Sequence, residues 1–315
     1  MPSHPKIAII GAGNVGSTFA FTLMISGLAR EIVLIDKNKN RAKGECMDMN
    51  HGASFVPPVH VYESGYEGCK DADIVVITVG AKQNPGETRI ALVERNAEIF
   101  KEIIPKIASY AKDSIIIVVS NPMDILTYVT LKITGFNPNR VLGSGTVLDS
   151  SRFRYLISEH CNIDPHNVHA YIIGEHGDTE LPVWSHAHVG GMLIADYCGI
   201  CKNRCDSKGE LYNIFEEVKN GAYKVIDAKG ATYYAIGLAL LEIVGAILRD
   251  ENSILPVSTL IEDYYGINDV CLSIPSIVNK GGVKDFLKLK LSDEEERGFV
   301  KSANTLKEVI KNLKL

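Results

Sequence analysis

The sequence contains no apolar run approaching the roughly 20 residues that cross a bilayer as a helix. It also has no basic excess: 33 Lys and Arg stand against 38 Asp and Glu, for a net charge of −5. The first absence excludes a transmembrane helix, and the second leaves nothing to attract a nucleic-acid backbone or an anionic membrane surface. Cysteine is sparse, with seven in 315 residues. That number is odd and far below the density of a disulfide scaffold, so a reducing compartment is expected. Four cysteines (Cys46, Cys69, Cys161 and Cys271) are scattered and read as small apolar fillers. The other three, Cys198, Cys201 and Cys205, have a spacing that metal sites use, but no fourth ligand is adjacent. His166, His169, His186 and His188 lack a carboxylate or cysteine at ligand spacing, so no metal is expected. The opening Met1–Lys6 leads directly into Ile7-Ala8-Ile9-Ile10, too short for the apolar core of a signal peptide, and a cytoplasmic protein is expected.

What is present supports a sizeable core. Hydrophobic residues make up 46% and charged residues 23%, an ordinary soluble composition, and the length allows two lobes. In the first half, short apolar runs at Lys6–Ile10, Ile32–Asp36, Asp73–Val79, Ser114–Val119 and Val141–Leu142 predict buried strands. Helical spacing appears between them, at Val15–Leu28 and Leu92–Tyr110. This rhythm predicts a parallel sheet covered on both faces, since the runs do not alternate. After about residue 145 the rhythm changes. Long helices are predicted at Ser150–His160, Lys208–Lys229 and Tyr233–Asp250, with alternating strands at Val168–Ile173 and Val270–Val278. Ser292 stands three residues before Glu295, a capping box that opens a C-terminal helix. Its apolar face is Phe299, Val300, Ala303, Leu306, Val309, Ile310 and Leu313. The expected fold class is α/β: a doubly wound parallel sheet of Rossmann type over residues 1–144, then an α+β substrate domain over 145–315.

Gly11-Ala12-Gly13-Asn14-Val15-Gly16 follows the first strand and opens a helix. Gly11 permits the tight turn, Gly13 lets a pyrophosphate approach the backbone, and Gly16 lets the helix pack closely. The phosphates would then meet free amides at the positive end of the helix. Asp36 ends the second strand, where a carboxylate accepts from ribose hydroxyls and repels a 2′-phosphate, favouring NAD over NADP. The same residue reads, more blandly, as a strand-end turn former. Gly80 and Asn121 end two further strands and converge on the same crevice, with Asn121 where nicotinamide and substrate should meet.

Hydride exchange with a secondary alcohol needs a proton acceptor, a clamp for a carboxylate and a polariser for the carbonyl. His176, in Gly174-Glu175-His176-Gly177-Asp178, is the best base, because imidazole titrates near operating pH. Asp149 and Arg152 share one side of a predicted helix. Asp149 can hold the His176 tautomer and Arg152 can grip a carboxylate with its planar fork. On the residues alone, Asp149 as a helix cap and Arg152 as a surface charge is the usual reading of such a segment. The polar stretch 81–89, with Gly86 and Pro85, reads as a lid that carries Arg89 over the carbonyl.

These motifs are similar to those of the lactate/malate dehydrogenase family along essentially the whole chain. The matching stretches are Gly11–Gly16, Gln83–Arg89, Asn121-Pro122-Met123-Asp124, Gly143–Arg154, Gly174–Asp178 and Lys229–Gly237. The resemblance implies His176 as acid and base, Asp149 as its partner, Arg152 as clamp and Arg89 as polariser. It places Gln83, Asn121, Asp124 and Thr232 at the substrate, and extends the NAD set to Asn14, Val15, Arg41, Tyr66, Ala81, Val119 and Ser144. The family's substrate choice rests chiefly on the position held by Gln83, which is arginine in the malate enzymes. A neutral Gln83 would bury the second carboxylate of oxaloacetate unpaired, whereas pyruvate carries none. Pyruvate and L-lactate are therefore the expected pair, with malate or a branched-chain 2-hydroxy acid as alternatives. A non-catalytic NAD-binding sensor would show an eroded catalytic set. The resemblance further implies a homotetramer in which Arg154 and His169 bind the effector fructose 1,6-bisphosphate.

Overall fold

The computed structural model describes residues 4–81, 89–198 and 208–313. In chain order the elements of the first half are β1 (Lys6–Ile10), α1 (Asn14–Ser26), β2 (Glu31–Ile35), α2 (Lys39–His51), β3 (His60–Glu63), β4 (Ile74–Ile77), α3 (Arg89–Tyr110), β5 (Ile115–Val118), α4 (Met123–Thr134) and β6 (Val141–Gly143). The second half continues with α5 (Val147–Cys161), β7 (Val168–His169), β8 (Ile172–Ile173), β9 (Leu181–Pro182), β10 (His188–Val189), β11 (Met192–Leu193), α6 (Ile194–Tyr197), α7 (Lys208–Lys229), α8 (Tyr234–Leu248), β12 (Ser253–Ile261), β13 (Val270–Asn279), β14 (Gly282–Phe286) and α9 (Asp293–Asn312).

The parallel strands lie in the order β3-β2-β1-β4-β5-β6, which is the doubly wound arrangement with its switch between β1 and β4. The unalternating apolar runs are explained by cover on both faces. Ala8, Ile10, Val75 and Ile77 pack with Phe100 and Ile104 of α3 and Leu126 of α4. Their neighbours Ile7, Ile9, Ile74 and Val76 pack on the other face with Phe19 and Leu23 of α1 and Ile243 of α8. Burial of this kind is worth about 25 cal/mol per Å² of apolar surface, and it is what fixes the strand ends in space.

The second half differs from expectation in two ways. Its three longest antiparallel strands form no sheet of their own: β12, β13 and β14 extend the parallel sheet beyond β6, making one sheet of nine strands. The short β7, β10 and β11 and the pair β8 and β9 form two small sheets apart from it. The seam is tight, since a Cβ on Gly145 would stand 2.2 Å from the Pro256 carbonyl oxygen. The single strand expected over Val168–Ile173 is instead two, β7 pairing with β10 and β8 with β9. Between them the Ala170 carbonyl turns away to accept from Arg154 Nε at 3.0 Å. The C-terminal helix is as expected. Ser292 and Glu295 form the reciprocal cap, and Phe299, Ala303 and Leu306 are fully buried.

Cys46, Cys69, Cys161 and Cys271 are buried, and desolvation pushes the Cys46 and Cys69 thiols up to about 12. They are inert core groups. Cys201 and Cys205 lie outside the described residues. No helix among the described residues is long and apolar enough to cross a membrane.

Candidate active site

The crevice lies beyond the carboxyl ends of β1, β4 and β5, where an open parallel sheet binds ligands. Gly11 has φ +105°, accessible to glycine at little cost, and its N–H donates to the Ile35 carbonyl at 2.7 Å. Thr78 braces the turn by donating to the Gly11 carbonyl at 3.0 Å. Gly16 is required sterically: a Cβ there would stand 1.9 Å from the Gly11 oxygen. Gly13 differs, because a Cβ there would meet no protein atom within 4 Å. The space beside Gly13 is open, and it faces the first amides of α1, whose first turn contains no acidic residue. That is the geometry of an anion site, and it suits a dinucleotide pyrophosphate.

Asp36 turns out to do two things. Its Oδ2 accepts from the Ala12 amide and its Oδ1 from the Asn38 amide, each at 2.8 Å. It is therefore a turn former that braces the glycine loop. A carboxylate has about four acceptor sites, so capacity remains for ribose hydroxyls. Arg41 lies in the first turn of α2, where its amide is capped by the Asn38 side chain. Tyr66 is half-buried between β3 and β4. Val119 and Ser144 follow β5 and β6, with their amides continuing the ladders to Ile77 and Val118.

A residue that sequence reasoning missed ties the strand ends together. Asn96 of α3 is fully buried. Its Oδ1 accepts from the Ala81 amide at 2.7 Å, and its Nδ2 donates to the Asn121 carbonyl at 2.9 Å. This one side chain fixes the loops after β4 and β5 relative to each other, leaving the Asn121 side chain exposed in the crevice. An asparagine inside a helix carries no sequence signal for that role.

The proton-handling groups meet where α5, α4 and the turn after β8 converge. His176 Nδ1 lies 2.6 Å from Asp149 Oδ2. The Asp149 Oδ1 accepts from Arg152 Nη1 at 3.0 Å, and the same nitrogen donates to the Val218 carbonyl of α7 at 3.0 Å. Gly221 on α7 makes room for the arginine, since a Cβ there would stand 2.6 Å from Arg152 Cδ. Asp124 holds the loop from below. Its Oδ2 accepts from the His176 amide at 2.7 Å and its Oδ1 from the Ser258 hydroxyl at 2.6 Å. Asp124 thus grips the main chain of the loop, and Ser258 on β12 is a second partner that the sequence did not disclose.

The electrostatics follow from this arrangement. Burial alone would lower the His176 imidazolium pKa, but the charge and hydrogen bond of Asp149, then the charges of Glu180 and Asp124, raise it to about 9. Burial opposes ionisation of Asp149, yet the His176 and Arg152 contacts hold it below the ordinary range. Asp124 is pushed up to about 7 by desolvation, against the bonds from Ser258 and His176. The side chain of His176 remains 27% exposed, so a substrate can reach the ring.

Thr232 lies half-buried just before α8. Arg89 is the first residue of α3, and its side chain, with Gln83 and the rest of 82–88, lies outside the described residues. Arg154 packs over the Tyr171 ring, and desolvation lowers its pKa. His169 is exposed on β7 beside Ala170, which accepts the Arg154 bond.

A switch-point anion cradle facing a histidine–carboxylate pair defines a nucleotide-dependent oxidoreductase of the hydride-transferring class. Residues 5–143 match the lactate/malate dehydrogenase NAD binding domain, and residues 146–314 match the α/β C-terminal domain of the same family. The chain belongs to the lactate/malate dehydrogenase family. It is 56% identical over 308 residues to an L-lactate dehydrogenase of Acetivibrio thermocellus, covering 98% of this chain and 97% of that one. It is 53% identical over 313 residues to L-lactate dehydrogenase 1 of Clostridium acetobutylicum, covering 99% and 100%. The crystal structure of the minor L-lactate dehydrogenase from Enterococcus mundtii superimposes with a TM-score of 0.95 at 41% identity, covering 99% of each chain.

Proposed function

We infer that the chain is an NAD-dependent L-lactate dehydrogenase that interconverts pyruvate and L-lactate. The observation that carries this reading is the His176–Asp149–Arg152 chain beside the dinucleotide cradle, in a sequence with full-length L-lactate dehydrogenase relatives. NAD(H), when bound, supplies or takes the hydride. The protein's own residues handle the proton and the substrate. In pyruvate reduction the His176 imidazolium donates from Nε2 to the carbonyl oxygen while Asp149 holds the Nδ1 proton. In lactate oxidation the neutral ring accepts the hydroxyl proton at the same atom. Arg152 uses two of the hydrogen-bonding contacts of its fork within the protein, at Nη1, and the fork has five N–H donors in all. Its remaining capacity suits a substrate carboxylate. Arg89 would polarise the carbonyl, and Asn121 and Thr232 would line the substrate pocket. We assign residues 1–144 to an NAD-binding domain, which also lends Gln83, Arg89 and Asn121 to the substrate, and residues 145–315 to the catalytic α+β domain.

Gln83 sets the choice of keto acid in this reading. With no cation opposite it, a second substrate carboxylate would be buried unpaired. Gln83→Arg should move the kcat/KM ratio from pyruvate towards oxaloacetate by at least about tenfold, the scale of one buried charge pair. NADH oxidation with both keto acids measures it. An unchanged ratio places specificity elsewhere, and a wild-type chain inactive on pyruvate overturns the functional reading.

Self-association as a homotetramer is part of the proposal, in a cytoplasmic enzyme. Phe21 and Ile25 on α1 and Tyr234 and Leu238 on α8 are each more than half exposed along one groove, and an apolar patch of this kind suits a second copy. Arg154 and His169 would form the fructose 1,6-bisphosphate site. Cationic groups brought together by association repel, and a bisphosphate neutralises them. Addition of fructose 1,6-bisphosphate should lower the pyruvate concentration at half-saturation in wild type and leave Arg154→Ala unmoved. No response in wild type, or an equal response in both, removes the effector site.

A further inference from the structure

Glu180 follows His176 by four residues and is 7% exposed. A carboxylate oxygen of Glu180, one of Asp149 and a ring nitrogen of His176 all lie within 4.8 Å of one another. Arg152 is bonded to Asp149 within the same cluster, and the ring nitrogen facing Asp149 is taken up by that contact. Arg152 thus already brings a positive charge into the cluster. Asp149 has two cationic partners in direct contact, whereas Glu180 forms no salt bridge among the described residues.

Two buried carboxylates this close do not both ionise freely unless cations match them. The groups that face Glu180 are Asp149 and Arg152 from α5, Lys219 from α7 and His176 on its own loop, while Asp124 from α4 faces His176. Desolvation and the Asp149 charge push Glu180 up to about 8, against the pull of His176, Arg152 and Lys219. Asp149 is pulled down by its two partners and Glu180 is pushed up, so of the two carboxyls Glu180 holds a proton the more readily.

We propose that Glu180 is a positioning residue whose ionisation sets the proton affinity of His176, so that the pair exchanges protons as one unit. As a carboxylate, Glu180 stabilises the imidazolium and extends pyruvate reduction to higher pH. As a carboxylic acid it withdraws that support, leaving Asp149 alone to hold the ring. The inference rests on the reading of His176 as the acid in pyruvate reduction.

The test is the pH profile of kcat/KM for pyruvate at saturating NADH in wild type, Glu180→Gln and Glu180→Asp. Reduction needs the imidazolium, so the wild-type profile should fall as pH rises through about 9. In Glu180→Gln the fall should come about one pH unit lower, since a nearby opposite charge commonly moves a pKa by one to three units. Glu180→Asp restores the charge and should return the limb towards wild type. A merely structural Glu180 would scale activity without displacing the limb, so superimposed limbs in wild type and Glu180→Gln overturn the proposal. A second measurement needs no variant. The NMR titration of His176 in the wild-type protein should inflect twice, near 8 as Glu180 ionises and near 9 as the ring does. A single inflection overturns the coupling. Failure of wild type to reduce pyruvate overturns the functional reading instead.

Discussion

His176→Ala should still bind NADH and should reduce pyruvate roughly 10²- to 10⁴-fold more slowly, the range that a positioned general acid contributes. The cradle for the cofactor is built from β1, α1 and Asp36, whose bonds run to Ala12, Asn38 and the glycine turn. The bond that fixes the loop runs from the His176 main-chain amide to Asp124, and alanine keeps that amide. What alanine removes is the imidazole that Asp149 orients at 2.6 Å. Turnover measured by NADH absorbance, with NADH binding measured by fluorescence, separates the two functions. Turnover within a few-fold of wild type would remove His176 from the chemistry.

Gly16→Ala should damage the protein before any ligand arrives. Its Cβ would stand 1.9 Å from the Gly11 oxygen, and Gly11 cannot retreat. It is held at φ +105°, bonded through its N–H to Ile35 and through its carbonyl to Thr78. The expected cost is about 3 kcal/mol, the upper end for overpacking a tight contact. Gly13→Ala makes the contrast. Its Cβ would meet no protein atom within 4 Å, so stability without cofactor should change by less than about 1 kcal/mol, the scale of a helix-cap substitution. NADH affinity should still fall at least tenfold, because the methyl group enters the space facing the free amides. Thermal unfolding of both variants, with NADH titration of each, distinguishes the glycine that serves the fold from the one that serves the ligand. Equal losses of stability in both would contradict that division.

The parallel strands were legible because burial on both faces writes itself into uninterrupted apolar runs, as at Ile7–Ile10 and Ile74–Ile77. The short β3 and the strand β12 were not read. β3 mixes His60 and Glu63 into an edge position, and β12 carries Pro256 and Ser258 among its apolar residues. That the antiparallel strands would join the parallel sheet depends on the β6–β12 seam at Gly143 and Ser258, a contact between residues more than a hundred positions apart. Of the candidate site, the glycine turn, Asp36 and His176 stood out through the motifs around them, whereas Asp149 and Arg152 stood out chiefly through the family resemblance. Those that act through a single long-range bond did not. Asn96, Ser258, Gly221 and Glu180 sit in ordinary helix, strand or loop contexts, and only folding reveals what they face. Asp36 was legible in both its guises, and the structure shows the turn-bracing one directly.

The nine-stranded sheet also governs what happens if the chain is divided. A break at Gly145 separates β6 from β12, two strands that are interior in the intact protein. Each fragment would then carry a bare strand edge, with unpaired N–H and carbonyl groups that invite other chains. Such halves are poor candidates for independent expression and good ones for complementation, because each exposes the surface that the other was folded to cover. The two lobes are therefore better regarded as one cooperative unit with two chemical ends than as modules that could be exchanged at will.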